Sequence, residues 1–247
     1  MRNYLILSFL FLLNINLFSE NSKLIRVLVL SGRNNHEWQQ TTQVLVNILS
    51  ESQKFSIKIT ELPDTLTNAD FSQTDVVVSN WNSWPENDLR WPVESELALL
   101  QFIENGGGFV TFHASSSAFY NWPEFQKIST AAWIMDSTYH NKPSETRITI
   151  TSKTHPVIKG INDFDIFDEL WIQAAENTEF EVLGTASKKG ISETEIKPQP
   201  AIMVAGYGKG RIFHTILGHD INAIQNPGFS SLIINATEWT ATGKVTQ

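Results

Sequence analysis

The residues able to do chemistry recur just past short apolar runs. His36, with Glu37 and Trp38, follows VLVLSG, and Asn80, Trp81, Trp84 and Trp91 follow DVVVS. His113 ends FVTFH ahead of Ala114 and Ser115 to Ser117, Tyr139 and His140 come next, then Asp168, Glu169 and Trp171, and last His219 and Asp220 after RIFHTILG. Imidazole titrates near neutral pH, so it can pass a proton to or from a hydroxyl or a carbon beside a keto group. His36, His113, His140, Glu169 and His219 also offer the nitrogen and oxygen donors that zinc or another divalent ion accepts. No tight ligand motif such as His-Glu-x-x-His accompanies them. Indole faces beside polar groups suit a sugar ring. His155, before Pro156, reads as a loop hydrogen-bonding residue, and His214 within RIFHTIL as a sheet residue.

The elements that must position these groups follow from periodicity. Residues 23–32 form a short apolar run ending in Ser31-Gly32, which predicts a buried parallel strand. Trp38, Thr42, Leu45 and Leu49 share helical spacing over 38–50. Strands are predicted at 55–62, 74–80 and 109–113, with a helix over 94–105 that ends at Gly106 to Gly108. This alternation implies a doubly wound α/β sheet, whose ligands sit at the carboxyl ends of strands. The second half is less regular. Residues 145–161 read as a strand and a loop, and 186–199 as an exposed loop. Residues 200–220 read as an antiparallel hairpin around Gly206 to Gly210, and 226–243 as a closing helix capped by Asn226 with Pro227 in its first turn.

Composition narrows the partners. The chain has 247 residues, 41% of them hydrophobic and 18% charged, which suits one globular domain. Its net charge is −8, with no run of Lys or Arg. Nucleic-acid binding would need a basic patch, so it is not expected. An acidic surface also disfavours anionic lipid. The first 19 residues carry Arg2 and an apolar run from Tyr4 to Leu13, and a polar switch follows at Glu20, the layout of a secretory signal peptide. The mature protein is therefore expected in the periplasm or outside the cell, with no stable membrane span. An uncleaved anchor is the alternative. There are no cysteines, which closes disulfides, lipid attachment at cysteine and thiol catalysis.

Five segments together carry a family resemblance: VLVLSGRNNHEW, GGGFVTFHASSSAFYNWPEF, THPVIKGINDFDIFDELW, YGKGRIFHTILGHD and NPGFSSLIINATEW. Over about residues 24–243 the chain resembles the ThuA-like (trehalose utilisation) family. That resemblance implies a flavodoxin-like fold of the class I glutamine amidotransferase type: a mostly parallel sheet, helices on both faces and a C-terminal antiparallel hairpin. In amidotransferases the strand-to-helix turn at 113 holds a cysteine nucleophile. Here His113 stands there, so glutamine hydrolysis is not expected. The resemblance points instead to carbohydrate metabolism of a trehalose or keto-sugar type. His113, Glu169, His36 and His140 are then the candidate acid–base residues. Trp38, Trp81, Ser115, Trp171, His219 and Asp220 are candidates for contact with a small carbohydrate ligand. A divalent-metal-dependent hydrolase or isomerase, a serine nucleophile at Ser115, and a non-catalytic sugar-binding or accessory protein stay open, as does the oligomeric state.

Overall fold

The structure, a computed structural model, describes residues 23–86, 88–176 and 179–246, so the segment read as a signal peptide lies outside the described residues. In chain order the elements are β1 (Ile25–Leu30), α1 (Trp38–Glu51), β2 (Phe55–Thr60), α2 (Asn68–Ser72), β3 (Val76–Ser79), α3 (Val93–Glu104), β4 (Gly108–Phe112), α4 (Pro123–Ile128), β5 (Ala131–Ala132) and β6 (Tyr139–His140). They continue with β7 (Ser144–Ile150), β8 (Phe164–Asp168), β9 (Trp171–Ile172), β10 (Ala175–Glu176), β11 (Glu181–Lys188), β12 (Gln199–Tyr207), β13 (Gly210–Thr215), α5 (Ile221–Ile224) and α6 (Pro227–Thr242). No helix among the described residues is long and apolar enough to cross a membrane.

Nine strands form one sheet in the order β2-β1-β3-β4-β13-β12-β11-β7-β8. The first five are parallel; the central β3 and β4 are buried at every position, as strands covered on both faces are, and β2 at the edge is largely exposed. The predicted hairpin is β12–β13, and Asn226 Oδ1 caps α6 by accepting from Gly228 N at 2.9 Å. The antiparallel part extends beyond that hairpin through β11, β7 and β8. Ala186 to Lys188, read as loop from their polarity, complete β11 and pair with Thr146 to Ile148. Two two-stranded ribbons, β5–β10 and β6–β9, were not legible because strands of two residues carry no periodicity.

Apolar clusters cover both faces of the sheet. Leu45, Leu49, Phe229, Leu232 and Ile233 pack with Val27, Val29 and Val110 on one side. Leu99, Ile103, Phe119, Trp122 and Phe125 pack with Leu28, Val77 and Phe109 on the other. The strand order reverses between β1 and β3, the topological switch where such sheets place ligands. A register shift in β11 between Val182 and Thr185 bends the antiparallel half. Although β8 stands four places from β13 in the sheet, its last residue returns to the exit of β13, where Asp168 Oδ2 accepts from Gly218 N at 2.7 Å.

Candidate metal centre

β4 ends in a sharp elbow. His113 has φ 43, a left-handed backbone that side chains other than glycine rarely adopt. Ser115 Oγ accepts from Phe112 N at 2.9 Å and donates to Phe112 O at 2.8 Å, closing the turn. Ala114, Ser115 and Ser116 are all buried, so only small side chains fit beneath the bend. This is why a buried strand delivers a histidine and then turns on small residues. It also removes Ser115 from the candidates for nucleophile or ligand contact. Its hydroxyl is fully buried and committed to the backbone.

Four side chains converge from four places. His36 comes from the loop after β1, His113 from the elbow, Glu169 from the end of β8, and His219 from the loop after β13. One donor atom of each lies within 4.8 Å of all the others. His219 Nδ1 is 3.3 Å from His113 Nε2 and 3.4 Å from Glu169 Oε2, and His113 Nε2 is 3.6 Å from Glu169 Oε2. A tetrahedral ion with bonds of about 2.0–2.1 Å keeps its ligands roughly 3.3–3.4 Å apart. The spacing therefore fits a small divalent cation. His113 Nδ1 lies 2.9 Å from Ile216 O, which can only accept, so Nδ1 carries the proton and Nε2 turns its lone pair inward.

The loops are held for this purpose. Asp168 is buried, and its Oδ1 accepts from Glu169 N at 2.8 Å and His219 N at 3.1 Å. One carboxylate thus ties together the two chain segments that supply Glu169 and His219. Gly218 has φ +105, and an added Cβ would meet Phe112 and Phe229 at 3.0 Å, so the approach to His219 needs glycine.

Electrostatics agree with a cation site. Burial, reinforced by His113 and His219, pushes the His36 pKa down to about 3, which keeps its ring neutral and able to coordinate. Burial alone would raise the Glu169 carboxyl, but the facing imidazoles of His113 and His219 hold it well below the usual carboxylate range. The hydrogen bond to Glu169 raises His219 despite its partial burial. Burial pushes the Asp168 carboxyl up, against three backbone N–H groups and the charge of His113. The His219 imidazole and the Glu169 carboxylate, 3.4 Å apart, are shifted in the directions of an ion pair.

A cavity of about 180 Å³ opens above the cluster, lined in part by Asn35, Trp84, Ser117, Trp133, His140 and Trp171. His140 stands at its rim, 38% exposed, with Nδ1 2.8 Å from Glu169 Oε1. Trp171 packs against both His113 and Trp133. Trp133 and Ser117 were missed as ligand contacts. Trp133 follows β5, a two-residue strand that carries no periodicity in the sequence, so a strand-end rule is blind to it. A larger groove of about 1080 Å³ at Arg147, Lys153, His155, Lys159 and Lys244 shares no residue with the cluster. His155 there accepts from Val157 N at 3.2 Å, a local turn role.

Three further candidates fall outside the cavity. Trp81 is buried in the core, its ring centroid 5.0 Å from Phe119 and 5.2 Å from Trp91. Trp38 begins α1 and does not line the cavity, because the helix starts before its ring can face the strand ends. Asp220 caps α5, its Oδ1 accepting from Ala223 N at 2.9 Å. His219, expected to touch a sugar, belongs to the ion-type cluster and does not line the cavity above it.

The family model described as trehalose utilisation (ThuA) matches residues 26–240. A ThuA-like protein from Parabacteroides merdae is 31% identical, with a TM-score of 0.78, covering 91% of this chain and 92% of that one. A ThuA-like protein from Bacteroides uniformis, 19% identical, superposes with a TM-score of 0.66 over 87% of this chain and 91% of its own. A cytoplasmic protein from Salmonella typhimurium, 13% identical, gives 0.63 over 88% and 99%. The last two show the fold alone. No curated protein matches the chain.

Proposed function

The chain belongs to the ThuA (trehalose utilisation) family, and from that premise we propose that it is a carbohydrate-active protein whose His36, His113, Glu169 and His219 hold a divalent ion beneath a pocket for one sugar ring. The observation that carries this reading is the convergence of three imidazoles and one carboxylate with donor atoms within 4.8 Å of one another, those of His113, His219 and Glu169 at 3.3–3.6 Å, close to the ligand spacing of a tetrahedral ion. A bound ion would polarise a carbonyl or hydroxyl oxygen of the sugar. The chain's own residues supply the rest. His140 Nδ1 lies 2.8 Å from the outer oxygen of Glu169 and 3.0 Å from Asn141 O, and the ring reaches solvent, so it can carry a proton between the sugar and bulk water. Trp84, Trp133 and Trp171 offer indole faces to the ring. The cavity is smaller than the roughly 300–1,000 Å³ typical of sites for drug-sized ligands. It suits one ring, with any second unit outside. No Lys or Arg lines it among the described residues, which favours a neutral sugar of the trehalose or keto-sugar type.

Glutamine hydrolysis is not part of this reading, because the chain has no cysteine. Export is part of it, resting on Arg2, the apolar run and the switch at Glu20. Amino-terminal sequencing of protein from the periplasm or medium checks it, and an intact Met1 on cytosolic protein would overturn it.

The test of the main reading is elemental analysis of purified protein, followed by calorimetric titration of chelated protein with zinc, manganese and nickel. At least one ion should bind with a stoichiometry near one, and His113→Ala should abolish it. Failure of all three ions to bind, with fewer than about half an ion per chain as purified, would defeat the metal reading. If an ion binds, His140→Gln should lower turnover of the sugar by roughly 10²–10⁴ while leaving ion affinity intact.

A further inference from the structure

The loop after β1 and the segment after β3 are joined by asparagines rather than by apolar contacts. Asn34 Oδ1 accepts from His36 N at 3.0 Å, and Asn34 Nδ2 donates to Asn80 O at 3.1 Å. The first partner is a backbone donor and the second a backbone acceptor. The orientation of the Asn34 amide is therefore fixed by groups that cannot change roles. Its oxygen also lies 3.0 Å from His36 Nδ1. An amide oxygen cannot donate, so in the neutral ring the proton must sit on Nδ1. His36 Nε2 is then the nitrogen left with a lone pair for the cluster.

Asn80 is fixed in turn. Its Nδ2 donates to Thr41 Oγ1 and Thr42 Oγ1, both at 2.9 Å, which leaves its Oδ1 3.3 Å from Asn34 Nδ2. Asn82 reinforces the same point from the other side. Its Nδ2 donates to Ala114 O at 3.2 Å and reaches Asn34 Oδ1 at 3.3 Å, tying the His36 loop to the elbow that carries His113. Asn34, Asn80 and Asn82 are partly or wholly buried, and Asn82 is fully so.

We propose that Asn34, backed by Asn80 and Asn82, is a positioning residue that locks His36 in the Nδ1-protonated tautomer and so presets Nε2 as an inward-facing donor. The proposal deepens the metal reading and rests on it for its purpose, but the tautomer itself exists without any ion. Side chains that fix the outer nitrogen of a ligating imidazole typically govern about 10–100-fold of metal affinity.

The experiment uses the mature chain in two states. In chelated, ¹⁵N-histidine-labelled protein, long-range ¹H–¹⁵N correlation separates the two neutral tautomers. His36 should show only the Nδ1–H form in the wild type and a mixture in Asn34→Ala. Zinc titration should then show a loss of about 10–100-fold for Asn34→Ala. Asn34→Asp keeps an acceptor toward His36 Nδ1 but sets its other oxygen against Asn80 O, so it should restore the single tautomer while lowering stability, a split that a merely structural role would not predict. Should Asn34→Ala not fold, Asn80→Ser, one bond further back, is measured in its place and should shift the same signals less. A single Nδ1–H tautomer in a folded Asn34→Ala or Asn80→Ser variant overturns the proposal, whatever happens to zinc. A tautomer shift in a protein that binds no ion upholds the lock and defeats the metal reading instead.

Discussion

Replacing Asp168 by Asn changes one atom in a fully enclosed place, and its effect can be worked from the structure. The carboxylate accepts from Glu169 N at 2.8 Å and His219 N at 3.1 Å through Oδ1, and from Gly218 N at 2.7 Å through Oδ2. An Asn oxygen placed toward Glu169 and His219 keeps two of these bonds, now without charge assistance. Its NH₂ then faces the Gly218 N–H, donor against donor. A buried donor left unsatisfied costs about 1–3 kcal/mol, and the two weakened bonds add to this. Burial disfavours the Asp168 charge, so removing it returns part of the loss. The expected net cost is about 2–4 kcal/mol, within the usual range for breaking a buried polar network. For a domain of this size 1 kcal/mol moves Tm by about 2–4 °C, so the melting temperature should fall by about 4–16 °C. The assay is thermal unfolding in chelator, followed by zinc titration. His219→Ala is the control. It leaves the Asp168 bonds intact, so it should lose the ion, and its ion-free Tm reads the loss of the His219–Glu169 pair apart from the Asp168 network. If Asp168→Asn melts within about 2 °C of wild type and binds zinc equally well, Asp168 does not hold the loop and the reasoning fails.

Other outcomes follow from the same geometry. Zinc at a hundredfold excess over its Kd should stabilise the chelated protein by about 2.7 kcal/mol, which differential scanning calorimetry reads as a rise of roughly 5–11 °C, absent in His113→Ala. Ser115→Ala should cost about 1–2 kcal/mol through its two turn hydrogen bonds yet leave ion binding and any turnover in place, and loss of turnover without loss of folding would revive a serine nucleophile. Trehalose should quench tryptophan fluorescence through Trp133 and Trp171, an effect that Trp171→Ala should weaken and Trp81→Phe should not. Burial alone would raise the Glu238 carboxyl, but Lys54 and Thr246 hold it below its ordinary value of 4.5. A depressed folded pKa means that this stabilisation is present above 4.5 and is lost as pH falls through the folded value. Glu238→Gln should therefore destabilise the protein at pH 7 and flatten the acid side of its stability profile below that point, as urea titrations at stepped pH would register.

The parallel half of the fold was legible because VLVL, VVVS and GFVTF are continuous apolar runs with helical spacing between them. Fully buried strands leave no other composition possible. The sites at their carboxyl ends were legible for the same reason, since an open α/β sheet exposes its ligands there. What escaped the sequence was distance along the sheet. Glu169 could be named, but nothing in FDIFDELW says that the end of β8 lies against the exit of β13. Trp81 was misjudged because an indole after a strand can turn inward as easily as outward. Here Phe119 and Trp91 offered it a closer apolar fit than the cavity did. Asn34 and Asn82 look like ordinary loop residues, because their roles reside in which end of each amide faces which backbone group.

The elbow connects these strands of the argument. A residue held at positive φ at a strand end costs of order 1–3 kcal/mol and persists only where surrounding bonds over-determine it. At His113 those bonds are present: Ser115 closes the turn, Ile216 O fixes Nδ1, and Trp171 packs on the ring. A geometry that would expose a nucleophile at the top of a sheet holds an imidazole with its proton outward and its lone pair inward. The inward lone pair suits coordination, and no cysteine is present to attack an amide in its place. Two more imidazoles and a carboxylate meet it at the same point. Electron pairs crowded this closely repel unless a positive charge, a proton or a metal ion, sits among them. The strain at the elbow, the buried Asp168 and the asparagine chain behind His36 are thus costs of one arrangement. They are offset when a cation occupies its centre.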